Sequence, residues 1–467
     1  MAKSKGKTTF IDRLGGDKVV WTIMLFLCMI SLVSLFSATS QLATESNTRL
    51  DIVRDQVITI AMGLFFVFLC YRVNSIKLFK ALARWGFALS LALLAFVDLH
   101  IKLPLISAAS INDAWRVIKV FGFQVHVLEV VKVAMVMYLA WAIDRLQNGE
   151  FKLLDRLSNI NRLEFLGSKI WQEIICVILP SLIIVVASLP ASNSSALFLA
   201  GIMFLTMLLG RINFFHIVLT GLFCGVMLAG CFGLYKLSSG LQHNDPDAKV
   251  LFRRIGTGVS RVLDKSIDYE EIIRTADKGS KEYQTALDRI RQPYGAKIAI
   301  KEGGLFGKGP GRSTQKYKVP VIYEDYIFSF IIEEYGLLFG GLIIFILYLS
   351  LLARGSIIAR NCNDHFAKCA VAGLCMLITA QAMMHITVNC DIGVLTGQTL
   401  PLISYGTSAF VCFSIAFGII LSISRMAEKN VEKERLEAAP LIELQEDTQD
   451  ELRNSLNDLD QLDSMDI

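Results

Sequence analysis

GGLFGKGPGRSTQKYKVPVIYEDYIFSFIIEEYG, residues 303–336, joins a polar, glycine-rich segment to an apolar run. Its glycines suggest a phosphate-binding loop, but the spacing fails. A Walker A loop needs four residues between its first Gly and a Gly-Lys, then Ser or Thr. Here Lys308 is followed by Gly309, and Ser313 comes too late. The glycines therefore read as backbone that turns tightly and approaches something closely. The apolar run that follows decides the class. It is one of many windows long enough, at about 20 residues, to cross a bilayer. The 467-residue chain is 54% hydrophobic, with a mean hydropathy of +0.52. This is the profile of an all-α polytopic membrane protein, not of a soluble domain.

Working outward, ten spans are expected, near 19–39, 53–71, 85–101, 126–143, 171–189, 195–210, 215–236, 327–353, 369–388 and 404–424. Lys and Arg in short loops set the direction. Lys3, Lys5, Lys7, Arg13 and Lys18 precede the first span. Arg72, Lys77, Lys80 and Arg84 follow the second, and Arg145, Lys152, Arg156, Arg162 and Lys169 follow the fourth. Alternate loops are poor in cations, so both termini are expected in the cytoplasm. The chain divides into a cytoplasmic leader at 1–18, helices one to seven at 19–236, and a large extracytoplasmic loop at 237–326. Helices eight to ten follow at 327–424. The tail at 425–467 is read as cytoplasmic and disordered, because residues 437–467 hold one Arg against ten Asp or Glu. No cleavable signal peptide is expected. The ten cysteines lie mostly within apolar runs, such as Cys28, Cys70, Cys176, Cys224, Cys231 and Cys412, without a C-x-x-C pair. They read as packing residues, not a disulfide framework.

Three segments could carry chemistry, and all fall on the expected outer face. In 303–336, Asp325 stands where polar loop becomes span. A partly desolvated carboxylate there suits proton abstraction, although an Asp at a helix start also serves as an N-cap. Lys308 and Arg312 could attract an anionic headgroup or simply solvate a lip. Glu333 and Glu334 lie within the span, where charge is expensive; they line a cavity or pair with a cation from another helix. In 112–145, Glu129 and Lys132 are three residues apart and share a helix face, as a structural pair or as part of a site. Arg116 lies just before that span and could bind phosphate. In 389–408, Asn389, Asp391, Gly393, Gly397, Pro401, Ser404, Tyr405 and Gly406 imply broken backbone, tolerated at membrane depth only when buried or lining a cavity. HExxH and G-x-S-x-G motifs are both absent.

On these residues the chain resembles the SEDS family (shape, elongation, division and sporulation), with the FtsW branch nearest among FtsW, RodA and SpoVE. The matches are AKIAIKEGGLFGKGPGRSTQK, the Pro-x-x-Tyr-x-Asp-Tyr-Ile-Phe run, IIEEYG and LTGQTLPLISYGTS, within a similarity over about residues 15–425. The resemblance implies a peptidoglycan glycosyltransferase that polymerises lipid II on the outer face of the bacterial cytoplasmic membrane, at the division septum. It implies Asp325 as the essential carboxylate. It also implies Arg116, Glu129 and Lys132 at the substrate, where Lys308, Arg312, Glu333, Ser404 and Tyr405 are further candidates. The sequence departs from the family pattern at Val127 and Leu128, at Ser192, at Val394 and at Thr407, and Trp115 and Arg116 stand in exchanged order.

The implied reaction joins the 4-hydroxyl of one GlcNAc to C1 of a MurNAc on another lipid, releasing a pyrophosphate lipid. Cations would stabilise that leaving group, and a divalent ion (Mg or Mn) could assist; no metal-ligand set is legible. The implied partners are lipid II, a class B penicillin-binding transpeptidase, other divisome proteins and membrane lipid. No nucleic-acid partner is expected. The competing readings are a lipid II flippase, an elongation-type polymerase and a non-catalytic division scaffold.

Overall fold

The computed structural model describes residues 15–38, 49–103, 105–111, 114–120, 123–149, 151, 156, 158, 167–219, 221–222, 225–226, 230, 269–275, 277–278, 280–319, 321–392 and 396–463. The helices are α1 (Lys18–Ala38), α2 (Arg49–Arg72), the short α3 (Ile76–Ala83), α4 (Gly86–Asp98) and α5 (Val127–Asn148). Then come α6 (Lys169–Ser188), α7 (Asn193–Leu209), α8 (Tyr269–Thr275), α9 (Lys281–Gly303), α10 (Ile327–Gly336) and α11 (Ile343–Asn361). The last two are α12 (His365–Asn389) and α13 (Thr407–Asp463). Among the described residues, seven helical stretches are long and apolar enough to cross a membrane: α1, α2, α3 with α4, α6, α10 with α11, α12, and the first half of α13. The protein is a multi-pass membrane protein.

The core is made by α5 and α12. Met135, Val136, Leu139, Ala140 and Ile143 of α5 are fully buried, as are Ala370, Val371, Leu374, Cys375, Leu377 and Ile378 of α12. The outer helices turn large apolar residues outward, such as Phe26, Met29 and Val33 of α1 and Phe65 and Leu69 of α2. In a bilayer those positions meet lipid, so an exposed apolar rim carries no penalty.

Ion pairs cluster at one end of the bundle, which the positive-inside pattern reads as cytoplasmic. Lys80 bridges Asp144 of α5 and Asp364 at the start of α12, at 2.8 Å each. Arg354 pairs with Asp17, which also caps α1 through Val19 and Val20 N–H.

Two features differ from the expectation. Within 106–126 the described residues form a three-stranded antiparallel sheet, β1 (Ile106–Ile111), β2 (Ala114–Val120) and β3 (Phe123–His126). Alternating, β-branched sequence such as AWRVIKV suits a pleated strand. The tail read as disordered is helical to Asp463 in continuation of the last span. Its Leu, Glu, Gln and Ala are strong helix formers, and Lys433 and Glu437 pair across one turn at 3.6 Å. The second half of the large loop is also helical, in α8 and α9. The expected seventh span, 215–236, lies largely outside the described residues, as does 231–268.

The glycine loop explains how the eighth crossing is built. The helix is interrupted at Gly336, whose φ of 80° and ψ of 172° lie in a region essentially reserved for glycine. Four backbone bonds join the break to the loop: Lys308 N–H to Glu333 O, Gly309 N–H to Glu334 O, Leu337 N–H to Gly304 O and Leu338 N–H to Leu305 O, all 2.9–3.1 Å. Gly307 and Gly336 face each other so closely that a Cβ on either would strike backbone of the other segment. A π-turn, Leu337–Leu342, then leads into α11. The loop thus supplies the partners that a broken helix lacks inside a membrane.

Gly336→Ala should therefore lower the thermal unfolding temperature of the detergent-purified protein, by about 1–3 kcal/mol in stability from backbone conformation alone. Gly201→Ala, in α7 with nothing within 4 Å of the new Cβ, should stay within about 0.5 kcal/mol. Equal melting of the two variants would refute the close approach.

Candidate functional site

Asp325 lies at the entrance to α10, at the end of the bundle opposite the Lys80 cluster. Val321, with φ of 56°, turns the chain, and its carbonyl accepts from Glu324 N–H (3.1 Å) and Asp325 N–H (3.3 Å). Tyr326 and Ile327 are buried and seat the turn. Asp325 is not the helix cap: the N-cap position is Tyr326, with no side-chain cap. Asn389 of α12 takes over this task. Its Oδ1 accepts from Ser329 N–H at 3.0 Å, and its Nδ2 donates to Asp325 O at 3.1 Å and His385 O at 2.9 Å. The backbone of Asp325 is therefore held from two helices.

Arg116 approaches from the sheet. The register of β1 against β2 pairs Ala109 with Val117 and Ser110 with Trp115, so Arg116 is the extra residue of a β-bulge. Bulges re-aim side chains and recur beside active sites. The positive charge of Arg116 acts on Glu324, which is half-buried beside Asp325. Burial, then the neighbouring Asp325 charge, pushes the Glu324 carboxyl up to about 7, with Arg116 opposing the shift. The result is two adjacent carboxyls, of which Glu324 is poised near neutrality.

The segment 396–405 closes the other side. Tyr405 N–H donates to Tyr323 O at 3.0 Å, and the two rings meet edge to face at 5.8 Å. Ser404 Oγ donates to Glu324 O at 2.8 Å and accepts from Leu400 N–H. Gly397, with φ of 60°, leaves room beside the acid: a Cβ there would lie 4.0 Å from Asp325 Oδ1. The sheet is tied in as well, through His126 N–H to Ser408 Oγ at 3.2 Å.

Lys132 organises this segment from below. It is 1% exposed, and its Nζ donates to Glu129 (2.7 Å), Gln381 (2.8 Å) and Gln398 (2.7 Å). Gln398 in turn donates to Ser195 Oγ at 2.6 Å, and its carbonyl is bonded to His385 Nδ1 at 2.8 Å. Lys132 thus uses all three of its protons inside the protein.

The expected site residues fall into two groups. Arg116 acts on Glu324, the neighbour of Asp325, and the half-buried Tyr405 is joined to Tyr323 of the same turn. Arg312 is exposed on the glycine loop and is in no ion pair among the described residues. Glu129, Lys132, Lys308, Glu333 and Ser404, expected at the substrate, are instead engaged in internal bonds. Glu333 is fully buried and accepts from Ser313 Oγ (2.5 Å), Thr314 N–H (2.8 Å) and Lys308 Nζ (2.9 Å). Lys308 also pairs with Glu302; despite partial burial, these carboxylates hold its ammonium above the ordinary lysine range. Glu334 accepts from Ser37 Oγ at 2.6 Å and pairs with Lys316 at 3.8 Å. The physical reason is common to the buried ionised groups among them. Ionised groups deep in a membrane protein need several close partners, and those partners consume them.

Glu324, Gln381 and Gln398 were not among the expected residues. Glu324 was legible as one half of an acidic pair, and the two amides as polar interruptions of apolar sequence. Val394, one of the departures noted above, lies outside the described residues. Among the described residues no group of three His, Cys, Asp or Glu side chains could hold a metal ion.

A family profile described as "Cell cycle protein", covering FtsW, RodA and SpoVE, matches residues 17–248 and 280–429. A probable peptidoglycan glycosyltransferase FtsW of Caulobacter vibrioides is 41% identical over 127 residues, 27% of this chain and 32% of that protein. The peptidoglycan glycosyltransferase MrdB of Escherichia coli is 36% identical over 157 residues, 31% of this chain and 42% of that protein. The matched stretches thus span about a third to two fifths of these relatives. A chain of a peptidoglycan synthase complex, solved to explain how polymerisation and crosslinking are coordinated, shares the fold. It has a TM-score of 0.59 at 21% identity, over 88% of this chain and 98% of that one. With the profile running through the span helices, the glycine loop and the 396–405 segment alike, the chain belongs to the FtsW/RodA/SpoVE family of cell cycle proteins.

Proposed function

We propose that this protein is a peptidoglycan glycosyltransferase that polymerises lipid II, with Asp325 as general base. One observation carries the reading: Asp325 stands at the entrance to α10, its backbone carbonyl held by Asn389, beside a second carboxyl, Glu324, on which the charge of Arg116 acts. The names of the FtsW and MrdB relatives support the activity. In the reaction, Asp325 takes the proton of the GlcNAc 4-hydroxyl. The oxygen attacks C1 of the MurNAc on the second lipid, and the C1–pyrophosphate bond breaks with inversion. Arg116 and Arg312 neutralise the departing pyrophosphate. Lys132 and Lys308 act at one remove, by fixing the 396–405 segment and the glycine loop.

The outer face of the cytoplasmic membrane, the septum and a transpeptidase partner belong to the same proposal. The fold shared with a polymerising and crosslinking complex supports the partner. A division role is favoured over elongation by the FtsW-like motifs quoted above. A flippase would need charged groups that open to both sides. Lys132, the most deeply buried cation, is locked by three acceptors instead.

Three outcomes are expected. With purified protein, transpeptidase partner and lipid II, Asp325→Asn should abolish glycan polymer while leaving the melting temperature unchanged. Polymer at the wild-type rate would overturn the assignment. Glu324 should make stability depend on pH. An ordinary glutamate titrates at 4.5 and Glu324 at about 7, so folding favours its protonated form, and its contribution is lost as pH rises from about 4.5 to about 7. Glu324→Gln should therefore stabilise the protein at pH 8 relative to wild type, with little difference at pH 4, as read by thermal unfolding. Lys132→Ala strands Glu129 and two amides and should cost about 3–5 kcal/mol. Lys132→Ala with Glu129→Ala should recover part of that loss in the same assay.

A further inference from the structure

A second charged site lies at the other end of the bundle. Lys77, Lys80, Ala81 and Arg84 form one stripe of α3 and the turn after it, at i, i+3, i+4 and i+7. With Trp141 and Arg145 of α5 they line an open cleft of about 190 Å³. Its six lining residues include four cations and no carboxylate. Asp144 and Asp364 stand behind Lys80 and fix its ammonium at 2.8 Å each. Lys77 and Arg84 are exposed, and neither is in an ion pair among the described residues. The Arg84 guanidinium lies over the Trp85 ring, 5.4 Å from its centroid.

The adjoining stripe of the same helix is apolar and open. Leu78, Leu82 and Trp85, at i, i+4 and i+7, are 46%, 62% and 60% exposed, whereas Phe79 and Ala83 on the third side are buried. A short helix with a buried edge, an open apolar edge and a basic edge suits the membrane interface. Asp144 is fifteen residues from Glu129 on α5, about 22 Å along the axis, so this cleft is remote from Asp325.

We infer that the cleft lined by Lys77, Lys80, Arg84, Trp141 and Arg145 binds the phosphodiester headgroup of an anionic phospholipid, with its acyl chains along Leu78, Leu82 and Trp85. Charge chooses the ligand: four cations facing one cleft attract an anion, and basic clefts between spans on the cation-rich side suit anionic headgroups. The neighbouring apolar stripe chooses a lipid over a free anion, because only a lipid uses both edges. Lys80 is the fixed post of the site, and Lys77 and Arg84 are the groups with donors to spare.

Native mass spectrometry of the detergent-purified full chain tests this. Phosphatidylglycerol should be retained in preference to phosphatidylcholine, and excess inorganic phosphate should not displace it. Lys77→Ala with Arg84→Ala should weaken retention roughly tenfold or more. The charge-preserving pair Lys77→Arg with Arg84→Lys should keep it, which separates loss of charge from loss of fold. Equal retention of both lipids, full retention by the alanine pair or loss by the charge-preserving pair would overturn the inference. Displacement by inorganic phosphate would identify a free-anion site and overturn the lipid assignment.

Discussion

Glu333 and Glu334 sit fully buried within the eighth crossing, and a carboxylate in that position must be satisfied or the helix cannot be stable. The glycine loop provides the answer. Ser313, Thr314, Lys308 and Lys316 meet the two acids from the loop, and Ser37 meets Glu334 from α1. Four backbone bonds bridge the helix break at Gly336. The loop returns at Tyr326 to the head of the helix whose break it fills, so satisfying the buried acids also sets the position from which Glu324 and Asp325 project.

A second buried charge does the same for the opposite wall. Lys132 gathers Glu129, Gln381 and Gln398, and Gln398 belongs to the irregular segment that reaches Tyr323 and Glu324 through Tyr405 and Ser404. Backbone without regular structure is tolerated inside a membrane protein only where its polar groups find partners. Here a lysine from α5, a serine from α7 and a histidine from α12 supply them. The charges most conspicuous in the sequence therefore hold the segments that flank Asp325.

The two ends of the bundle use charge differently. At the end carrying Asp325, the buried Lys132, Glu333 and Glu334 are each met by partners inside the protein. At the other, the Asp144–Lys80–Asp364 bridge ties α5, α3 and α12 together, and the remaining cations face an open cleft beside exposed apolar side chains. The cations that set orientation in the positive-inside reading thus also shape a surface of their own.

The class of this protein was written in its hydropathy, because a crossing must be apolar over its whole length whatever its neighbours are. Asp325 was legible as a candidate for a related reason: an acidic pair, Glu324 and Asp325, where polar loop meets apolar helix is visible as a discontinuity. The sheet was not legible, since residues 106–126 are too short and too mixed to separate strands from a polar lead-in to the next helix. Composition also misread the tail, where charge suggested disorder and helix propensity prevailed. The roles of Lys132, Lys308 and Glu333 belong to tertiary structure alone. Sequence shows that a buried charge needs partners, but which side chains arrive, and whether any donor is left for a substrate, depends on residues up to 266 positions away. The bulge that aims Arg116 likewise exists only in the pairing of two strands.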